Sequence, residues 1–370
     1  MRILFFHRWV GVHKGGTETH IRELADRFQK MAHEVTILTR EGNELNGFNP
    51  AVKIIRIPKN IGESDHSYED FRVYIHTLFF MAKAFFKLFC LLTKPGNFDV
   101  ISVHFFTELW VAKVCVIFKK IPIVFVLEGY TSLEAKAAKF ADRKISISSF
   151  EAEMYRKNHS LESVVIPIGI DLARFSVSKS STEHLIHKFA PNKEKIALTV
   201  CRLEPRKDLF TLIKAVKYLE EKVNSIKFLI VGDGISRKQI EKEIQVQGLE
   251  NRILLPGRID DSDLPYYYAC ADFFILPTKQ EWFGIVFVEA MASGLPIITT
   301  TVGACPEVAG ECGLYFKSED HVALAEKIME LSDNNLLLQN LSKCSIRRAG
   351  NFDWNKVIKK YEEQYNFLSN

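Results

Sequence analysis

The sequence of 370 residues has no Cys-x-x-Cys pair, no large surplus of charge and no unbroken apolar run long enough to cross a bilayer. Its seven cysteines (Cys90, Cys115, Cys201, Cys270, Cys305, Cys312 and Cys344) are scattered and odd in number. That argues against a disulfide scaffold or a zinc site and fits reduced thiols in a cytosol. Lys plus Arg total 49 and Asp plus Glu 45, a net charge of +4. This is far too mild to make nucleic acid the main partner. The nearest thing to a membrane span, Phe71 to Leu92, is interrupted by Arg72, Lys83 and Lys87. A charge at a bilayer centre costs about 2.5–3.5 kcal/mol on insertion scales, so this segment is not expected to span. Met1 to Phe6 runs straight into His7 and Arg8, which is not the pattern of a secretion signal.

With 47% hydrophobic and 25% charged residues, the chain reads as an ordinary globular protein. Its length suggests two domains. Residues 1–170 carry 23 basic and 18 acidic side chains, so the positive excess sits in the first half.

Arg2 to His7 reads as a strand, Gly11 to Gly16 as a loop and Thr17 to Lys30 as a helix. In that helix Ile21, Leu24, Ala25 and Phe28 follow the spacing of one buried face. Glu34 to Thr39, Asp99 to His104, Pro122 to Leu127, Lys144 to Ser148 and Val164 to Pro167 are further strands. A serine-rich stretch, Ser176 to Glu183, interrupts the pattern and reads as a connection. The alternation then restarts. Strands are expected at Ile196 to Val200, Ile226 to Val231, Arg252 to Leu255, Asp272 to Leu276 and Pro296 to Thr300. Helices are expected at Asp208 to Leu219, Ser236 to Gln247, Ser262 to Ala269 and Ile285 to Ala292. Alternation of this kind implies parallel sheets covered on both faces. The expected class is α/β, with two doubly wound domains facing each other and ligands at the carboxyl ends of their strands.

The densest signal runs from Pro277 to Pro296 and contains Glu281, Phe283, Gly284, Glu289 and Gly294. A strand ends at Leu276 and a helix opens at Phe283-Gly284, where unpaired amides and a positive dipole end suit a phosphate. Gly284 lets backbone come close to such a ligand. Glu281 and Glu289 are suited to accept hydrogen bonds from sugar hydroxyls on either side of it. Arg202 and Lys207, just past another strand's carboxyl end, supply two cations for a diphosphate. Gly232-Asp-Gly234 lacks the third glycine of a dinucleotide fingerprint and reads as a strand-end turn.

Glu281, seven residues, Glu289, with Phe-Gly between and Ala-Met-Ala-x-Gly-x-Pro after, resembles the retaining glycosyltransferases of family four, which have the GT-B fold. The resemblance extends to Gly15-Gly16-Thr17-Glu18, Ile166 to Asp171, Arg202 to Lys207, Gly232 to Gly234, Pro256-Gly257-Arg258, Gly303 to Glu307 and Phe352-Asp-Trp354. It implies an acceptor domain at 1–170, a linker at 171–192, a nucleotide-sugar domain at 193–351 and a tail helix, 352–370, returning to the first domain. Glu281 is implied to contact the donor sugar and Glu289 the ribose. Arg202 and Lys207 neutralise the leaving diphosphate with no metal or other cofactor, and Gly257 and Arg258 meet the nucleotide base. Gly15 and Gly16 approach phosphate or acceptor. In the family, attack occurs on the face the diphosphate leaves.

Where the family has His-Gly, this chain has Glu128-Gly129. Glu128 fits two readings: a partner for a sugar hydroxyl at the reacting centre, or a structural acid. His104, at another strand end, reads either as a core residue or as a contact to acceptor or sugar. Phe71 to Leu92 likewise reads as a buried helix, or as an apolar, basic surface for a lipid acceptor or a membrane face. The expectation is a metal-independent retaining glycosyltransferase using a UDP- or GDP-sugar. Its acceptor would be a hydroxyl of a glycan, a glycolipid or a small molecule. It would be cytoplasmic, with peripheral contact at the inner membrane face through the first domain. Alternatives are another enzyme of this fold, such as a nucleotide-sugar epimerase, and a non-catalytic sugar-nucleotide-binding protein.

Overall fold

A computed structural model describes residues 1–369 except 11, 13–14, 43–47, 60–71, 94–95, 97 and 221–224. The expected loop Gly11 to Gly16 therefore lies partly outside the described residues, as does Phe71. The chain forms two compact units, Met1–Gly169 with Asn355–Asn370, and Ile170–Trp354.

The first unit opens with β1 (Arg2–Phe6), α1 (Gly16–Lys30), β2 (Glu34–Arg40), β3 (Lys53–Ile57) and α2 (Arg72–Thr93). It continues with β4 (Val100–Val103), α3 (Phe106–Val116), β5 (Ile123–Leu127) and α4 (Ser132–Ala138). β6 (Arg143–Ser146), α5 (Ser149–His159) and β7 (Val164–Val165) follow. The seven strands make one parallel sheet in the order β3-β2-β1-β4-β5-β6-β7. Alternate residues serve opposite faces. Leu4 and Phe6 of β1 join a core with Ala84 and Leu88 of α2, Ala112 of α3 and Ala135 of α4. Phe5, between them, turns the other way and meets Phe28 of α1, ring centroids 6.2 Å apart. Strands buried on both faces are apolar at nearly every position, which is why β1, β4 and β5 were legible as short runs.

The second unit holds α6 (Leu172–Phe175), α7 (Glu183–Phe189), β8 (Lys195–Val200), α8 (Leu209–Leu219), β9 (Ile226–Val231) and α9 (Arg237–Val246). Then come β10 (Ile253–Gly257), α10 (Leu264–Cys270), β11 (Phe273–Leu276) and α11 (Ile285–Ala292). β12 (Ile297–Thr300), α12 (Cys305–Ala309), β13 (Gly313–Phe316), α13 (His321–Asp333) and α14 (Asn335–Ala349) complete it. Its six strands are ordered β10-β9-β8-β11-β12-β13 and are also parallel. One face is covered by Leu212 and Val216 of α8, Ile240 of α9 and Ile328 of α13. On the other, Phe274 of β11 meets Tyr268 of α10 and Phe287 of α11, each ring pair 6.0 Å apart. The last helix, α15 (Trp354–Ser369), starts in the second unit, and its residues from Asn355 onward belong to the first.

Two readings are corrected. Residues 171–192 are not a free connection. They fold within the second unit as α6, a short turn of 3-10 helix at Lys179–Thr182, and α7. Phe175 packs on Tyr268 and Phe189 on Tyr267, while Thr182 is buried and its hydroxyl donates to the Lys179 carbonyl, 2.7 Å. The serines decorate only the outward side. Nor are all seven cysteines thiols: Cys312 and Cys344 are joined in a disulfide, with Cα atoms 5.4 Å apart. A pair separated by 32 positions has no sequence signature of its own, because the sheet and α14 bring the two together.

Candidate functional site

In an open parallel sheet, ligands bind where neighbouring strands lead off in opposite directions, beyond the strands' carboxyl ends. In the second sheet that place lies between β8 and β11. The loops leaving those strands carry Arg202, Lys207 and Glu281. Lys207 closes a 3-10 turn, Pro205–Lys207, and donates from Nζ to Glu281 Oε2 at 2.5 Å. Both side chains are 9% exposed. A buried ion pair is costly to desolvate and destabilising to break, since either partner alone would be an uncompensated charge.

Three loops are stitched together around this pair. Lys279 N and the Thr278 hydroxyl both donate to the Arg206 carbonyl, at 2.8 and 3.1 Å. Ala304 N donates to the Glu281 carbonyl, 3.0 Å, and the Thr300 hydroxyl to that of Thr278, 2.8 Å. Gly303 has φ +60°, and a Cβ there would run into the Glu281 carbonyl oxygen, so only glycine lets the loop after β12 come this close. Asp208 also sits at positive φ, +49°. Asp tolerates this region better than most residues. Its carboxylate accepts from the Thr211 hydroxyl, 2.7 Å, which holds the start of α8.

Arg202 lies more in solvent, 57% exposed, and pairs with Glu204 at 3.0 Å. Arg206 binds the same carboxylate, 2.8 Å. Gly284 caps α11 at φ +81° with no side-chain cap, so the first amides of that helix depend on something other than a side chain at the cap. The Phe283 ring is buried against Phe352, 5.7 Å away, so what Phe283 offers a ligand is its backbone. Glu289 lies one turn into α11, and its Oε2 accepts from the buried Tyr268 hydroxyl, 2.7 Å. Burial raises the Glu289 carboxyl above its ordinary value, opposed by that hydrogen bond. Burial also pushes the Cys201 and Cys305 thiols up to about 12, which disqualifies both as nucleophiles near neutrality. Gly257 ends β10 at φ +89°, its carbonyl accepting from Gly232 N at 2.9 Å, and Arg258 beyond it is exposed. A Cβ on Gly232 would strike the Cys201 carbonyl, so Gly232-Asp-Gly234 is built for close packing on the loop after β8. A groove of about 630 Å³ lined by Phe189, Ile244 and Leu255, among others, shares no residue with this cluster.

The first sheet's switch point lies between β1 and β4. Here His104, directly after β4, and Glu128, directly after β5, do come together, joined by His20 of α1. His20 Nδ1 and His104 Nδ1 lie 2.6 and 2.9 Å from Glu128 Oε1. Tyr361 Oη is 3.2 Å from His20 Nε2. Ser102 Oγ is 3.4 Å from His104 Nε2 and accepts from the Tyr365 hydroxyl, 2.7 Å. One arrangement of protons gives all four ring nitrogens a partner: both imidazoles donate from Nδ1 to the carboxylate, and each Nε2 accepts from a hydroxyl. Burial holds His104 below the usual histidine value. Burial alone would raise the Glu128 carboxyl, but the two imidazoles, His20 above all, hold it well below the carboxylate range. Tyr361 and Tyr365 belong to α15, so this polar chain also fastens the last helix to the sheet. Gly15 caps α1, and a Cβ there would strike the Glu18 carboxylate, whereas one on Gly16 would meet open space.

Sequence reading missed His20, Tyr361, Tyr365 and Tyr268. His20 lies on the buried face of α1, among Ile21 and Leu24, and a polar residue on such a stripe was the available signal.

The profile described as Glycosyltransferase Family 4 matches residues 14–174, and that described as Glycosyl transferases group 1 matches residues 181–348. The alpha-monoglucosyldiacylglycerol synthase of Acholeplasma laidlawii is 26% identical over 363 residues, 89% of this chain and 87% of its own. A sucrose-phosphate synthase from Thermosynechococcus elongatus superimposes with a TM-score of 0.86 at 21% identity, over 99% of this chain and 98% of its own. Anabaena HepE, solved with UDP and glucose, does so with a TM-score of 0.82 at 19% identity, over 99% of both chains. The chain is a glycosyltransferase of the GT-B type, its first unit matching the family-four profile and its second the group 1 profile.

Proposed function

We propose that the chain transfers a sugar, with retention at the anomeric carbon, from a UDP- or GDP-sugar to a hydroxyl of a lipid-linked or glycan acceptor. The reading rests above all on the buried Lys207–Glu281 pair, which joins the two loops at the switch point of the second sheet. Lys207 has further N–H donors beyond the one given to Glu281, and these meet the diphosphate. Arg202 grips the same group, and the amides at the start of α11 add the helix dipole. All three act where negative charge grows as the diphosphate leaves. Glu281 orients the donor sugar, Glu289 the ribose, and the backbone at Gly257 and Arg258 the base. The cations do the work a metal does in other transferases, so no metal is required. In the first unit Glu128 spends one carboxylate oxygen on two imidazoles and offers the other to a sugar hydroxyl. His104 positions it, and the backbone at Gly15 and Gly16 borders the acceptor. The similarity to an alpha-monoglucosyldiacylglycerol synthase supports a lipid acceptor.

Purified protein should release UDP or GDP and form a new glycoside only when donor and acceptor are both present, with or without a chelator. Lys207→Ala and Glu281→Ala should each lower transfer by about 100-fold or more, with the circular dichroism spectrum unchanged. Wild-type rates in both variants would refute the assignment. Conversion of donor alone would point to an epimerase.

A further inference from the structure

We propose that the outer face of α2, α3 and α4 is a docking surface for the headgroup region of a bilayer containing anionic lipid. This deepens the acceptor side of the proposed function and rests on that side alone. The stripe Phe80, Ala84, Leu88 and Leu92 of α2 is buried in the core of the first unit. By length and composition His76–Thr93 is long and apolar enough to cross a membrane, but crossing would strip that stripe from the sheet. The helix lies along the unit instead, and its other sides face out.

Those outer sides are neither polar nor plain. Phe79 and Phe86 of α2 are 58% and 67% exposed, and Phe118, in the turn after α3, is 91% exposed. Trp110 of α3 packs against Phe140 beyond α4, ring centroids 4.8 Å apart and planes tilted by 48°, and both remain exposed. α2 packs beside α3 and α3 beside α4, so these rings share one surface. Soluble monomers rarely leave an apolar patch of this extent open to water.

The charges between the rings are of one sign. Lys83 and Lys87 lie on α2; Lys113, Lys119 and Lys120 on α3 and its turn; Lys136 and Lys139 at α4. All but the half-buried Lys113 are exposed. The only acids of these stretches (76–93, 106–120 and 132–140) are Glu108 and Glu134, and both are buried. Glu108 turns inward to accept the Arg8 amide, 2.9 Å. Seven lysines with no exposed acid rule out pairing of this face with its own copy, because like charges would meet like. Aromatic rings interleaved with lysine match a bilayer surface, where rings sit at headgroup depth and ammonium groups at the phosphates. Of the two readings of Phe71 to Leu92, the described residues of α2 show the buried helix on one side, and on the other an exposed apolar, basic surface.

The test is flotation of the full-length protein with vesicles of phosphatidylcholine alone, or with 30% phosphatidylglycerol. Binding to the anionic vesicles, lost at about 0.5 M salt, is expected. Each lysine near an anionic surface is worth about fivefold in partitioning. The variant Lys83→Gln/Lys87→Gln/Lys119→Gln/Lys120→Gln should therefore bind at least about tenfold more weakly, and Phe86→Ser/Phe118→Ser likewise. Both variants should keep the wild-type thermal shift with UDP or GDP, so a failed donor assignment and a failed surface assignment give different results. Equal binding to neutral vesicles, no binding to anionic ones, or variants that bind like wild type would overturn the proposal. So would self-association in sedimentation that buries Phe118, or capture of an acidic protein at this face without lipid binding.

Discussion

Glu128 puts a carboxylate where burial alone would protonate it, and two imidazoles keep it charged. The consequence for pH follows from sign. A carboxyl held below its unfolded value of about 4.3 contributes stability that is complete above that value and lost as pH falls. His104, held below its unfolded value of about 6.5, stays neutral in the folded chain and is protonated first in the unfolded one. Its contribution is likewise complete above about 6.5 and lost below. His104 therefore weakens the first unit as pH falls below about 6.5, and Glu128 adds to the loss once pH falls below about 4.3. Glu128→Gln should cost that unit about 1–3 kcal/mol at pH 7, because two buried imidazoles lose a charged acceptor. It should also flatten the decline below pH 5. Hydrogen exchange in β4 and β5 reads both effects on this unit alone, and an unchanged acid slope would show that Glu128 is not the anchor.

At the level of elements, the loop after β12 is the rear support of the loop after β11. Gly303→Ala would place a methyl against the Glu281 carbonyl and strain a backbone at φ +60°, a cost of about 1–3 kcal/mol. The carboxylate should shift with its loop, so donor KM should rise about tenfold or more while α11 and the sheet persist by circular dichroism. A variant with unaltered KM would mean that Glu281 is held from elsewhere. Elements also show how far the sequence could be read. α11 and β9 were legible to the residue, because a fully apolar strand or an apolar helix behind a glycine loop has few alternatives. β3 and β13 passed unseen because edge strands are half exposed and lose the continuous apolar signature. Residues 176–183 misled because a segment whose outward side is serine looks like a linker until its buried side is known. Glu281, Glu289 and Lys207 were visible as a motif. The His20–Glu128–His104 chain was not, since its members come from three elements and α15 far apart in sequence.

For the whole molecule, the chain passes between units twice, after Gly169 and after Trp354. Ile170 N donates to the Phe352 carbonyl, 2.7 Å, and Trp354 N to that of Ile170, 3.2 Å, so the two passages are hydrogen-bonded side by side. Of the 23 basic side chains of residues 1–170, seven are the lysines of α2, α3, α4 and the residues just after α3 and α4, while the second unit carries Arg202 and Lys207, the cations proposed to meet a diphosphate. The central claim is that the loops after β8 and β11 hold that diphosphate. Hydrogen exchange of the intact chain with saturating UDP or GDP tests it most directly. Slowed exchange is predicted in peptides covering residues 201–208 and 281–288, with the sheet of the first unit unaffected. Tight nucleotide binding that leaves both loops exchanging at their free rates, or protection confined to other segments, would contradict it.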